Sequence, residues 1–172
     1  VNLNVEQLED RTFIDELKWI ADSYDQPPET IAFEFPETAF IPSNSSSVAE
    51  NLKRLSDYGF RIIMDDFGSL GLKIESVTDV PLEHVKIDRA FITNLNSEAL
   101  QQAATLEMIK QAQSNEVLVV AEGVETPAER AALSRMNADA CQGYLICEPV
   151  DVEGITKWLT STTRNQEVRR RA

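Results

Sequence analysis

Phe60-Arg61-Ile62-Ile63-Met64-Asp65-Asp66-Phe67-Gly68 is a short apolar run closed by two carboxylates and a glycine. A run of this kind reads as a strand buried on both faces, here over 60–64. The same device recurs along the chain. Candidate strands lie at 1–5, 31–35, 60–64, 84–87, 117–121 and 139–145, with helical patterns between them. Phe13, Leu17, Ile20 and Ala21 share one helical face, as do Val48, Leu52 and Leu55. Over 97–114, Leu100, Ala104, Ile109 and Ala112 are expected broadly on one side. Gly59 ends the helix before the third strand as a C′ residue. Thr126-Pro127-Ala128-Glu129 is a capping box with Pro at the first helical position. A last helix, starting near Asp151, is expected to carry Ile155, Trp158 and Leu159 inward. Residues 161–172, ending in Arg169-Arg170-Arg171, read as a polar tail after a domain spanning 1–160.

Six β/α-like units with continuous apolar strands imply an α/β fold, a parallel sheet covered by helices. A doubly wound sheet and a barrel both fit the pattern. The 172 residues fall short of the roughly 250 of a closed eight-stranded barrel. Either the sheet is open, or strands are missing upstream; Val1, in place of Met, reads as a cut point.

Composition removes several classes. Twenty-nine acidic residues against 16 basic give a net charge of -13, which argues against binding polymeric nucleic acid through a broad electrostatic footprint. A phosphate-bearing ligand would need metal ions to bridge two negative partners. Cys141 and Cys147 match no zinc or disulfide pattern, and are expected to be reduced in a cytoplasmic protein. No apolar run approaches the roughly 20 residues of a membrane span, and no signal peptide precedes the first element. His84, with no His or Cys partner at ligand spacing, reads as an ordinary surface or strand-edge residue.

The chemistry lies at the C-terminal end of each strand. Glu34 and Glu37 close the second strand, Asp65 and Asp66 the third, Asp88 the fourth, Glu122 and Glu125 the fifth, with Gln142 in the sixth and Asn2 in the first. In parallel α/β folds this end of the sheet is where active sites are built. Crowded carboxylates repel one another and take up protons unless a cation neutralises them. Asn2, Glu34, Asp65, Asp66 and Glu122 offer hard oxygen ligands, suited to Mg²⁺ or Mn²⁺ rather than zinc. Adjacent Asp65 and Asp66 would point oppositely in a regular strand, so both facing the site requires the strand to end there, with Gly68 letting the backbone turn. Lys86 has two readings: a structural partner of Asp88 or Glu122, or the group that holds and polarises an attacking water.

Four ordered segments carry a resemblance: Asp65-Asp66-Phe67-Gly68, Val85-Lys86-Ile87-Asp88-Arg89-Ala90-Phe91, Ala121-Glu122-Gly123-Val124-Glu125-Thr126 and Gln142-Gly143-Tyr144-Leu145. They resemble the DDFG, LKIDRSF, AEGVET and QGYLF segments of the EAL-domain cyclic diguanylate phosphodiesterases, and Val1-Asn2-Leu3 resembles that family's VNLS strand. The resemblance implies a modified TIM-type (β/α) barrel, here an N-terminally truncated piece with about six β/α units. It implies two-metal hydrolysis of cyclic diguanylate to linear pGpG, with Mg²⁺ or Mn²⁺ as cofactor. Carried over, Asn2, Glu34, Asp65 and Glu122 would be metal ligands, with Asp66 helping to hold the second metal. Lys86 would hold the nucleophilic water, so that Lys86, Asp66 and Glu122 are the candidate catalytic residues. Glu37 would anchor the loop after the third strand, Glu125 and Gln142 would line the site, and Asp88 would stand behind the ligands. A homodimer and an upstream sensory or GGDEF-type domain are the implied partners.

Two departures stand against this. The Glu-Ala-Leu motif that names the family is absent, read as truncation rather than natural loss, and the stretch alone is expected to be inactive. The loop that usually runs DDFGTGYSSL is here Asp65-Asp66-Phe67-Gly68-Ser69-Leu70-Gly71-Leu72. An enzyme is the first reading, and a non-catalytic receptor of the dinucleotide, acting through a partner, is the alternative. An unrelated Mg²⁺-enolate barrel accounts for the carboxylates but not for the other segments.

Overall fold

The computed structural model describes residues 1–41, 46–77 and 80–160; the expected tail at 161–172 lies outside them. Two short helices, α1 (Val5–Glu9) and α2 (Arg11–Ser23), precede the sheet. The strands are β1 (Ala32–Pro36), β2 (Arg61–Phe67), β3 (Leu82–Ile87), β4 (Leu118–Ala121) and β5 (Ala140–Cys141). Between them run α3 (Ser46–Tyr58), α4 (Ala99–Ser114) and α5 (Pro127–Arg135), and α6 comes after β5 at 152–160.

All pairings are parallel and the strands run in sequence order, β1-β2-β3-β4-β5. A doubly wound sheet reverses its order at a switch point. Uninterrupted order is the arrangement of a barrel wall, and this settles the alternative that pattern left open. One face of the wall is apolar. Phe33, Phe35, Ile62, Met64, Val85, Ile87, Val119 and Ala121 are buried, with α3 packed on β2 and α4 on β3 and β4. Alternation puts Glu34, Lys86 and Val120 on the opposite face. There Leu118 is 52% exposed, so the described residues leave that face partly open. No helix among the described residues is long and apolar enough to cross a membrane.

Several expectations need correction. Residues 1–5 form no strand: only Asn2 bridges, in parallel, to Glu34, and Val5 opens α1. Asn4 and Gln7 form a reciprocal capping box, which offers the backbone a helix start in place of a ladder. The last strand is Ala140–Cys141 rather than 139–145. Gly143 packs so closely on Val124 that an added Cβ would stand 2.8 Å from its carbonyl carbon and nearer still to its N and O. The chain turns there, with Ile146 and Cys147 N–H donating to Gly143 O. Between β2 and β3 the described connection holds only a single 3-10 turn, Ile74–Ser76, so that unit lacks its helix.

Helix faces also differ. In α4 the buried side is Thr105, Ile109 and Ala112, while Leu100 is 88% exposed and Ala104 is exposed too. Leu100 lies half a turn out of phase with Ile109. Ile20 in α2 is exposed, and α6 leaves Ile155 and Leu159 largely uncovered. Gly59 comes after α3 at φ +112, as a C′ residue should. The capping box of α5 forms as expected.

Candidate metal and ligand site

Ligand placement begins with a bulge in β2. Met64 pairs with Val85 and Phe67 with Ile87, so Asp65 and Asp66 together oppose Lys86 alone. Asp66 takes up the extra residue in the left-handed region, at φ +56. The strand therefore does not end at the acidic pair, as the spacing suggested. It bulges, and one aspartate adopts a conformation that Asp tolerates better than most side chains. The result is that Asp65, Asp66 and Glu122 can each place an oxygen within 4.8 Å of one another.

Glu122 comes directly after β4 and continues its ladder through a 3.1 Å bond from its N–H to Ile87 O. Lys86 reaches the same space from β3, its side chain only 7% exposed. Its Nζ lies 2.5 Å from Glu122 Oε1, 2.9 Å from Glu34 Oε2 and 3.5 Å from Asp65 Oδ1. Burial works against the ammonium, but the hydrogen bonds to Glu122 and Glu34 outweigh it and hold its pKa above the ordinary lysine value. Burial raises the Glu122 carboxyl, and the Lys86 contacts offset this only in part. Asp66 is raised by burial and then by the charges of Asp65 and Asp88. Carboxylates lifted by burial and by one another are short of positive charge, and an all-oxygen donor set fits a hard divalent cation.

The other predicted residues surround this cluster. Asn2 lies beside Glu34 through their backbone bridge, with Leu3 N–H donating to Glu34 O at 2.9 Å. Glu34 stands outside the tight three-carboxylate cluster and is linked to it through Lys86. Asp88 caps the turn after β3, accepting from Ala90 N–H at 2.5 Å, and its carboxylate raises that of Asp66. Glu125 pairs with Arg89 at 2.6 Å. Arg89, Glu122, Gly123, Glu125, Gln142 and Tyr144 line an open cleft of about 220 Å³ beside the cluster. His84 is half-buried in β3 between β2 and β4, not at an edge.

Glu37 is 1% exposed and lies within the turn after β1. It accepts from Ser69 Oγ at 3.0 Å, Leu70 N–H at 2.8 Å and Leu72 N–H at 2.7 Å. Glu37→Ala is expected to cost about 1–3 kcal/mol, since it leaves three part-buried donors without their acceptor. Hydrogen exchange at the Leu70 and Leu72 amides should accelerate; unchanged exchange at both would contradict the anchoring.

Glu129 does more than cap α5. Its Oε2 accepts from Glu125 and Thr126 N–H, both at 3.0 Å, and its Oε1 from Asn94 N–H at 3.1 Å. It thereby ties the segment after β3 to the loop after β4. Burial alone would push its carboxyl up, but the N–H groups of Glu125, Asn94 and Thr126 outweigh it and hold it below the usual carboxylate range. A depressed folded-state pKa contributes stability that is present above the unfolded value and lost as pH falls through the folded one. Glu129→Gln should therefore cost about 2 kcal/mol near neutrality, the gap to wild type closing in strong acid. A gap independent of pH would contradict this. The capping role was legible in the sequence; Asn94 and Arg89 were not, because no local pattern joins them to the 122–126 loop.

The sequence model of the EAL domain matches residues 1–149. The cyclic di-GMP phosphodiesterase RocR of Pseudomonas aeruginosa is 30% identical over 149 residues, 87% of this chain and 38% of RocR. The cyclic di-GMP phosphodiesterase PA2567 of the same organism is 31% identical over 159 residues, 92% of this chain and 27% of its own. Among solved structures, the EAL enzyme Bd1971 in its cAMP- and cyclic-di-GMP-bound form superposes with a TM-score of 0.83 at 27% identity. The match covers 91% of this chain and 41% of that one. The chain thus spans well under half the length of these relatives. With the matched residues running from the Asn2 bridge past β5, the chain belongs to the EAL domain family.

Proposed function

We propose that the chain forms the metal-binding face of a cyclic diguanylate phosphodiesterase, which cuts one 3′–5′ phosphodiester to give linear pGpG. The observation that carries the reading is the convergence of Asp65, Asp66 and Glu122 within 4.8 Å, with Lys86 against Glu122 and Glu34. RocR and PA2567 are both named as cyclic di-GMP phosphodiesterases, which supports it. Asn2, Glu34, Asp65 and Glu122 would hold Mg²⁺ or Mn²⁺, with Asp66 at the second ion. A bound pair supplies Lewis-acid activation and neutralises charge on the phosphate oxygens.

In the reaction, water oxygen bonds to phosphorus, the P–O3′ bond breaks, and the 3′ oxygen leaves as a hydroxyl carrying a proton. Lys86 stays charged beside its carboxylates, so its role is to donate a hydrogen bond that orients the water rather than to take its proton. Glu34 and Glu122 hold the Lys86 Nζ in place. Glu37 shapes the loop at 69–72 through its three acceptor contacts. Gln142, Glu125 and Asp88 line or back the site. We assign the protein to the cytoplasm, with a homodimer and an upstream sensory or GGDEF-type domain as its partners.

The loop sequence Ser69-Leu70-Gly71-Leu72 favours one second reading, a receptor that binds the dinucleotide without cutting it. Calorimetric titration of Mn²⁺ into the chain tests the metal assignment. Saturable binding reversed by chelator is expected; no binding at millimolar metal would contradict it.

A further inference from the structure

Glu122 sits on a loop whose next residue is in the left-handed region: Gly123 has φ +66. Conformation is only part of the reason for glycine there. A Cβ built on Gly123 would stand 2.7 Å from Arg89 Cδ and 2.8 Å from its Cβ, and closer still to its Cγ. The arginine stem therefore lies directly across the backbone of the loop, in space that any side chain at 123 would take. At its far end the guanidinium is held by Glu125, Nη2 to Oε1 at 2.6 Å. Arg89 reaches over the loop from the turn after β3, spans Gly123, and is fastened two residues beyond Glu122's neighbour.

The side chains of this pair are 61% and 43% exposed. An ion pair so open to water contributes little to stability. Its geometry nonetheless closes the third side of the loop. The second side is the segment around β5: Val124 N–H donates to Gln142 O at 3.0 Å and Leu145 N–H to Val124 O at 3.1 Å. The first is Glu129, with its acceptor bonds to Glu125 and Thr126 N–H. With Arg89 removed, the flank of the loop facing β3 loses its cover just beyond the carboxylate that must meet Asp65 and Asp66.

We propose that Arg89 is a positioning residue for Glu122, acting through Gly123 and Glu125. This rests on the reading of Asp65, Asp66 and Glu122 as a divalent-cation site. Groups that orient metal ligands without touching the ion commonly change affinity by about 10- to 100-fold. A clamp of this kind sets metal affinity and leaves global stability almost unchanged.

The test uses the 172-residue chain and Mn²⁺ alone, with Arg89→Ala, Glu125→Ala, Arg89→Lys and the charge-swapped pair R89E/E125R. Hydrogen exchange of the 122–126 backbone, measured without metal, reads the clamp directly. It should accelerate in Arg89→Ala and Glu125→Ala and return towards wild type in Arg89→Lys and the swap. Mn²⁺ affinity should fall about tenfold in the two alanine variants and recover in the same two rescues, with melting temperatures close to wild type. Unchanged exchange in Arg89→Ala, or a swap no better than the single variants, would overturn the proposal. Changed exchange in a protein that binds no Mn²⁺ would uphold the clamp and overturn the metal reading instead.

Discussion

In the longest natural polypeptide that carries this chain, Asp65→Asn is expected to reduce cyclic diguanylate hydrolysis by about a hundredfold or more, and to weaken Mn²⁺ binding by a comparable factor. The substitution keeps the shape of the side chain, so its effect reports charge. Asp65 stands at the first position of the β2 bulge and accepts from Asp66 N–H at 3.1 Å, a bond that an amide oxygen can also accept. The bulge should survive, and with it the fold. Calorimetry with Mn²⁺ and a hydrolysis assay, run beside a thermal melt, separate the two. Activity and affinity should collapse while the melting temperature holds. A variant that keeps wild-type turnover would remove Asp65 from the site.

Lys86→Met is the second large effect, and its size depends on metal. In the metal-free protein the ammonium lies among Glu34, Asp65 and Glu122. Removing one partner of a buried charged cluster leaves the others uncompensated, at a cost of about 3–5 kcal/mol. The three carboxylates then repel, and Glu122, already raised by burial, loses the Lys86 contacts that offset that rise. A raised carboxyl binds protons in the folded state first, so stability is lost as pH rises and regained as pH falls. Lys86→Met should therefore be least stable near neutrality and approach wild type below about pH 4. Mn²⁺ should also restore it, by replacing the missing positive charge, while hydrolysis stays lost because nothing orients the water. Thermal melts across pH, with and without Mn²⁺, check this; a variant as stable as wild type at pH 7 without metal would contradict the clustering.

Much of this was legible from residue type and order. Apolar runs closed by carboxylates pointed to the parallel sheet, and Thr126 through Glu129 marked the start of α5. Asn4 and Gln7 carry the same capping signal. The alternation of Val1, Leu3 and Val5 hid it, because apolar spacing reads as a strand when only one bridge actually forms. The bulge was not legible, since a run of Met64-Asp65-Asp66-Phe67 gives no sign of which residue leaves the pleat. Asp66 does so because its short polar side chain tolerates positive φ. Leu100 misled for a different reason: it is apolar but out of phase with the buried stripe, and Thr105 fills the buried position instead. The fit of Arg89 over Gly123 joins two loops from different strands, and contacts of that kind have no period to betray them.

The most direct test is hydrolysis of cyclic diguanylate to pGpG by the longest natural polypeptide that carries this chain, with Mg²⁺, with Mn²⁺ and with chelator. Turnover that requires either metal and vanishes with chelator is the expected result, with none from the 172-residue stretch alone. Tight binding of the dinucleotide with no turnover under any metal would contradict the enzyme and leave the receptor, with the Ser69–Leu72 loop as its cause.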